Sequence, residues 1–273
     1  MPQTLEPRPP IPRREGSSAA RLYAAYQGGK DAYQADLDIA ARISALGLDP
    51  EAIAVHNRAF HNRAVRHAAG ELGIHQFLDI GCGYPAESGP NTHDIVETVH
   101  PDTSRVLYVD NDPLVRAHAD ALLHSDGDGF TAVTEADLRD PDTILAAGRH
   151  HLDFTQPVCV LLVAVVHFLP DADDPHTAVH TLTRALPPGS CMILSHVTDD
   201  FAPEIMRQAE ELLAGQKIVA RTRPRARIKA FFDGLDLTQP GLVPVHQWHQ
   251  PDPDITAIPA ERIHTYGGIG LTT

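Results

Sequence analysis

Phe77-Leu78-Asp79-Ile80-Gly81-Cys82-Gly83 is a short apolar run that ends in an acid and passes directly into two glycines. It reads as the first strand and the ligand loop of a nucleotide-type α/β fold. Glycine has no side chain to hold a ligand off and adopts backbone angles closed to other residues, so a Gly-x-Gly turn lets main chain touch a cofactor. By its letters the loop also fits a dinucleotide fingerprint, with Gly81, Gly83 and Ala86 as the small residues. That fingerprint works because its third small residue already lies in a helix whose N-terminal amides hold a pyrophosphate. Here the loop runs on through Tyr84-Pro85-Ala86-Glu87-Ser88-Gly89-Pro90, and a helix can begin only near Asn91 or Thr92, with Asn91 as N-cap and Asp94 in the first turn. Such a helix end is too distant for a tight pyrophosphate grip, and Glu87 would repel phosphate. A cofactor without phosphates fits better.

The next strand, Arg105 to Val109, ends in Asp110-Asn111-Asp112. An acid at the tip of the second strand is where such folds bind ribose hydroxyls, because one carboxylate can accept both protons. The distance from Gly81 exceeds the roughly 20 residues of a dinucleotide site, and the long first loop accounts for the surplus. Asp112-Pro113 then opens a helix, with an acid at N-cap and proline at the first helical position. A third strand, Phe130 to Thr134, ends in Glu135-Ala136-Asp137-Leu138. Asp137 reads either as a further site acid or as a turn residue ahead of Asp140-Pro141.

Three acid-tipped strands, at Asp79, Asp110 and Asp137, resemble the pattern of class I S-adenosylmethionine-dependent methyltransferases. The resemblance puts Gly81 and Gly83 under the methionine part of that cofactor, Asp110 with Asn111 at the ribose, and Asp137 with Leu138 at the adenine. More narrowly, the chain is similar to a bacterial S-adenosyl methyltransferase family long classed as a domain of unknown function. The shared stretches include Tyr26-Gln27-Gly28-Gly29-Lys30-Asp31, Asn57-Arg58-Ala59-Phe60, Asn91-Thr92-His93, Tyr108-Val109-Asp110-Asn111-Asp112-Pro113, His167-Phe168-Leu169-Pro170-Asp171 and Phe231-Phe232-Asp233-Gly234. They span nearly the whole chain. It departs from the family at Tyr84 and the spacer Glu87-Ser88-Gly89-Pro90, where the family loop is shorter.

Composition sets limits independently. With 36 acids against 22 Lys plus Arg, the net charge of −14 disfavours a nucleic acid partner, whose phosphate backbone needs a basic surface. The three cysteines, Cys82, Cys159 and Cys191, stand singly, which fits a reducing cytoplasm. The longest apolar run, Val158 to Val166, falls short of the about 20 residues a membrane span requires and reads as a strand buried on both faces. No membrane association and no metal are expected.

Residues 1–18 are proline-rich, lack the apolar core of a signal peptide and read as a disordered arm. Residues 19–73 are helical in pattern and read as a cap over the pocket mouth, and residues 74–273 as the methyltransferase domain, the two forming one globular unit. Gly28-Gly29 interrupts the cap. It is either a plain turn between helices or a close approach to the cofactor, with Lys30 meeting a carboxylate. Tyr23 and Tyr26 share a helix face and stack on the cofactor or pack the core. Arg58 is the best candidate for gripping a carboxylate, being bidentate, with Asn57 and Arg63 on the same helix.

Beyond the third strand, a helix over residues 143–149, a strand over 158–166, a helix over 175–186 and a strand over 191–195 predict a doubly wound, mostly parallel, seven-stranded Rossmann-like sheet with an N-terminal helical cap. Ligands in such sheets lie outside the carboxyl ends of the strands, where Ala164, His167 and His196 fall. His167 and His196 are candidate general bases, or histidines hydrogen-bonded at strand ends. His176 and His180 read as a solvent-facing helical pair, and Asp126 to Gly129 as a turn. Arg221, Arg223, Arg225, Arg227 and Lys229 are either a solvated segment or a site for an anionic substrate group. The tail reads as a hairpin-like strand pair with a final antiparallel strand, and Trp248 either packs the sheet edge or lines the acceptor site.

Three functions follow. The leading one is a methyltransferase acting on a small molecule with S-adenosylmethionine. The alternatives are a protein that binds this cofactor without transfer, since no Asn-Pro-Pro-Tyr-like signature follows the fourth strand, and an NAD-dependent oxidoreductase using the Gly81 loop.

Overall fold

The computed structural model describes residues 16–30, 32–125 and 127–273, so most of the proline-rich arm lies outside the described residues. Three helices lead, α1 (Ala19–Tyr26), α2 (Gln34–Ser44) and α3 (Pro50–Gly70). Strands and helices then alternate: β1 (Gln76–Ile80), α4 (Thr92–Glu97), β2 (Arg105–Asp110), α5 (Pro113–Leu122), β3 (Phe130–Glu135), α6 (Pro141–His151), β4 (Val158–Val163), α7 (Pro175–Arg184), β5 (Cys191–Val197) and α8 (Pro203–Ala214). The chain closes with α9 (Arg225–Lys229), β6 (Asp236–Leu237), β7 (Val243–Pro244) and β8 (Thr265–Leu271), with two single-turn helices before the last strand. One device starts four of these helices. Asp49, Asp112, Asp140 and Asp174 each cap with the carboxylate, and each precedes a proline. Proline pre-sets the first helical φ and has no amide to leave unsatisfied.

The sheet runs β3-β2-β1-β4-β5-β8-β6, with β7 also paired to β8. β1 to β5 are mutually parallel, and β8 lies antiparallel between β5 and the two short strands. The tail therefore makes the hairpin-like antiparallel pair, β7 and β8 around a loop, with β6 as a further fragment on β8, which raises the expected seven strands to eight. Alternate residues of each strand feed opposite faces. Leu78, Ile80 and Val160 pack with α6 and α7, while Phe77, Leu161 and Ile193 pack with α3 and α4. Trp248 belongs to the second face, edge-on to Phe60 at 5.5 Å and fully buried, and so packs rather than lining a site. A third cluster joins Leu22 of α1 and Ile39 and Ile43 of α2 to Met206 and Ala209 of α8.

Strand order reverses between β1 and β4, which opens a crevice at the carboxyl ends of the strands. β4 is shorter than its apolar run predicts. It stops at Val163 because Ala164 turns left-handed (φ +56°), its amide held by the Ser195 hydroxyl at 3.0 Å, and Val166–Phe168 forms a 3-10 turn.

Candidate functional site

A cavity of about 360 Å³ opens at the carboxyl ends of β1 to β4. It is lined by Asp79, Gly81, Gly83, Asp110, Asn111, Asp137, Leu138 and Ala164 from the sheet half, and by Tyr23 and Arg58 from the leading helices. Gly81 and Gly83 take φ +71° and +65°, a left-handed pair that only glycine adopts without strain. Their turn brings the Gly83 amide to the Asp110 carboxylate at 3.0 Å. The other Asp110 oxygen accepts from the Asp112 amide at 3.0 Å. Burial pushes the Asp110 carboxyl up while these amides draw it down. Each oxygen keeps a second lone pair for a ligand hydroxyl.

At the β3 side, Asp137 accepts from the Arg139 amide and from Asn111 Nδ2 at 2.8 Å, and Arg139 bridges on to Asp173. Leu138 is buried beside it. At the β1 side, Thr92 Oγ1 donates to Asp79 at 2.6 Å, and His61 Nε2 lies 3.1 Å from the same hydroxyl. Arg58 donates through Nη2 to the Pro90 carbonyl at 2.8 Å, and its buried Nε has no partner among the described residues.

Gly29 and Lys30 lie elsewhere. A Cβ on Gly29 would stand 2.9 Å from the Ala24 carbonyl and 3.3 Å from Glu87 Oε1, so its close approach is to α1 and to the loop after β1. The Lys30 amide donates to Glu87 Oε1 at 2.6 Å, which means that residue 30 does meet a carboxylate, but through its backbone and on the Gly83–Asn91 loop. Asn57 accepts from the Ser195 hydroxyl at 2.6 Å and donates to Tyr23 Oη at 2.8 Å. Arg63 grips the carbonyls of Val245 and Trp248 and packs the tail.

The two candidate bases also separate. His196 is fully buried, with Nδ1 against the Val197 carbonyl and Nε2 2.9 Å from the Arg223 guanidinium. It lines neither cavity, and burial holds its ring neutral, far below the usual histidine value. His167 lies outside the first cavity too, against an adjoining apolar one, and burial beside Arg223 pushes it down to about 3.

The four arginines of the basic segment are all engaged, which leaves only the exposed Lys229 without a partner among the described residues. Arg221 pairs with Glu210 at 2.9 Å, Arg223 and Arg227 with Asp171 at 2.7 and 3.1 Å, and Arg225 with the Leu242 carbonyl at 2.7 Å. Far from being solvated, Arg223 is 3% exposed. His176 is not solvent-facing either: it stacks on Phe231 at 4.3 Å.

Sequence reasoning missed His61, although it lies three residues past Arg58 on the same helix face. It also missed Ser17 and Ser18 and the stretch Lys217-Ile218-Val219, which reach the cavity from segments without a local signature.

The cavity suits a cofactor with a ribose, an amino-acid end and no phosphate. Asp110 suits hydroxyls, Asp79 an ammonium, and the Arg58 Nε, unpartnered among the described residues, a carboxylate. Around the start of α4 the Ala86 amide is used by Asn91, the Asn91 amide by Asp94 and the His93 amide by the Tyr108 hydroxyl, so little of that helix end is open to a pyrophosphate. The dinucleotide alternative finds no support.

Comparison with known proteins agrees. The S-adenosyl methyltransferase family model matches residues 11–273. A DUF574 family protein from Streptomyces avermitilis is 41% identical over 95% of this chain and 98% of that one, with a TM-score of 0.87. A protein from Thermobifida fusca described as a candidate methyltransferase is 34% identical over 94% and 95%, with a TM-score of 0.84. An S-adenosylmethionine-dependent methyltransferase from Anabaena variabilis shares the fold at 12% identity, over 77% and 83%, with a TM-score of 0.50. No curated protein matches. The chain belongs to the S-adenosyl methyltransferase family, and S-adenosylmethionine is its cofactor.

Proposed function

We propose that this methyltransferase acts on a small molecule and holds its cofactor between the acid-tipped strands and the helical segment 19–73, which serves as a cap. The observation that carries the reading is the Asp110 carboxylate, fixed by the Gly83 and Asp112 amides with acceptor capacity left over. On this reading Asp110 accepts the ribose hydroxyls, Asp137 and Leu138 flank the adenine, and Asp79 and Arg58 take the ammonium and carboxylate of the methionine end. The bound cofactor supplies an electrophilic methyl group on a sulfonium. The chain's own residues orient the cofactor and keep water out, because methyl transfer needs little beyond an aligned nucleophile at about 3–3.5 Å.

A net charge of −14 argues against a nucleic acid acceptor. Among the described residues no helix is long and apolar enough to cross a membrane. Three free cysteines fit a reducing compartment.

Isothermal titration with S-adenosylmethionine, S-adenosylhomocysteine and NAD, on the wild type and Asp110→Ala, tests the site. Both sulfur compounds are expected to bind and NAD to fail, with the substitution weakening binding by about tenfold or more, the value of a charge-assisted hydrogen bond. Unchanged binding in Asp110→Ala overturns the ribose assignment. Methyl-labelled cofactor incubated with fractionated cell extract tests the acceptor class: label in the low-molecular-weight fraction supports it, and label confined to protein or nucleic acid overturns it.

A further inference from the structure

Beyond the end of β4 a second cavity, of about 150 Å³, adjoins the first. Ala19, Tyr23, Ala164, Phe168 and Ile218 line both. Across the sheet, Asp137 follows β3, Asp110 ends β2, Gly81 follows β1 and Ala164 follows β4, so this cavity continues the row of cofactor residues past its methionine end.

Its walls come from α1, α2, α3 and α8, with Leu22, Ile43, Ile53, Met206 and Leu213 among them. Their charged neighbours are satisfied. Glu210 accepts from the Thr222 amide and hydroxyl at 2.6 and 2.7 Å and pairs with Arg221. Asn57, Tyr23 and Thr265 are all hydrogen-bonded. Only two polar side chains on the wall make no hydrogen bond among the described residues, the His167 imidazole, 7% exposed, and the Tyr26 hydroxyl. Both are neutral near pH 7, since burial drives His167 down to about 3 and Tyr26 up. A carboxylate or phosphate would find no free cation here and an ammonium no free carboxylate, and burying an ion without a partner is strongly unfavourable. An apolar space left empty forfeits the dispersion contacts of its whole lining, so a cavity open to the reacting centre is better explained by an occupant than by loose packing.

We propose that this second cavity is the methyl-acceptor site and that it takes a neutral, largely apolar molecule whose one or two polar groups meet His167 and Tyr26. The proposal rests on the assignment of the first cavity to the cofactor. In the transfer, a lone pair on the acceptor atom forms the bond to the methyl carbon while the carbon–sulfur bond breaks and its electron pair goes to sulfur. A hydroxyl acceptor releases its proton to solvent, because His167 is too weak a base to keep it. His167 thereby becomes a positioning hydrogen-bond partner and not the general base its place after β4 suggests.

The test uses 2-naphthol as the neutral apolar probe and 2-naphthoate as its anionic counterpart, each titrated into the full chain with and without S-adenosylhomocysteine. The expected result is 2-naphthol binding at one site, about tenfold or more tighter than 2-naphthoate. Ala209→Phe and Leu213→Trp, which fill only the second cavity, are expected to weaken 2-naphthol by about tenfold while S-adenosylhomocysteine affinity stays within about twofold. Absence of 2-naphthol binding, equal binding of the two probes, or folded variants that bind 2-naphthol as the wild type does overturns the proposal. The comparison of the two probes on the wild type decides even where a variant fails to fold. Loss of S-adenosylhomocysteine binding alone would instead strike the cofactor assignment, so the two readings fail separately.

Discussion

Gly81 meets two separate constraints. Its φ of +71° costs an ordinary residue about 1–2 kcal/mol, and an added Cβ would stand 2.4 Å from Val165 Cγ2, on the chain that turns away after β4. Gly81→Ala is therefore expected to lower the melting temperature by several degrees, at about 2–4 °C per kcal/mol for a chain of this size. Pairing it with Val165→Gly removes the steric part, since Val165 Cβ itself would stand 2.7 Å from the added carbon, and leaves the backbone part. Melting curves of the single and double variants check this, and a double variant no more stable than the single would clear Val165 of blame. His167 and His196 give a pH prediction at the same scale. Both have folded values depressed below the ordinary 6.5, His167 to about 3. The unfolded chain therefore binds protons that the folded one refuses as pH falls below 6.5, so stability is fully present above that pH and is lost on acidification towards about 3. The slope is about 1.4 kcal/mol per pH unit for each histidine, before other groups add theirs. Urea unfolding of wild type and His167→Gln between pH 6.5 and 4 should show the shallower dependence in the variant.

At the scale of elements, four segments are joined by one relay of hydrogen bonds. The Ala164 amide after β4 donates to the Ser195 hydroxyl of β5, which donates to Asn57 of α3, whose amide donates to Tyr23 of α1. Asn57 is 1% exposed, and its loss leaves the buried Ser195 hydroxyl proton without an acceptor, while the half-buried Tyr23 hydroxyl keeps the Ala54 carbonyl. Asn57→Ala should cost about 1–3 kcal/mol, the value of one orphaned group, read as a fall in the urea midpoint. A change below about 0.5 kcal/mol, the scale of a surface substitution, would mean that the relay contributes nothing to stability. This relay also marks how far the sequence can be read. Acid-tipped strands and Asp-Pro helix starts are local signals, so Asp79, Asp110, Asp137 and the starts of α5 and α6 were legible. The left-handed turn at Ala164 was not, because the apolar run continues through Val165 and Val166 without a break residue. Nor were the partners of Asn57, which lie 34 and 138 positions away and carry no shared pattern. Gly29 and Lys30 were ambiguous for the same reason: a glycine pair beside a lysine shows that something comes close, and only packing shows the Ala24 carbonyl and Glu87 there.

Over the whole molecule, the leading helices are both the chain's first packing unit and one wall of its site. α1 and α2 share a core with α8, and the Lys30 amide fastens their connection to Glu87 on the loop after β1. Ser17, Ser18, Ala19, Ala20 and Tyr23 line the same cavity as Gly81 and Asp110, so a cofactor held as proposed would bury both sides at once. Opening that wall breaks few apolar contacts, because α1 is only 8 residues long and buries just Arg21 and Leu22, and the polar ties it has to release include the Arg21–Asp36 pair and the Asn57–Tyr23 hydrogen bond. Such a segment opens at the low end of a protein's range of local stabilities, and a ligand that binds only the closed form suppresses the opening in proportion to its occupancy. Saturating S-adenosylhomocysteine is accordingly expected to slow amide hydrogen exchange in residues 16–30 by about 100-fold at 100 times its dissociation constant, with much smaller effects in α6, none of whose residues lines either cavity. Glu87→Gln, which weakens the latch to Lys30 while leaving every cavity residue in place, should speed exchange of the same segment in the free protein. Protection confined to β1 and β2, with residues 16–30 unchanged by the ligand, would show that the helices stand beside the site without closing it.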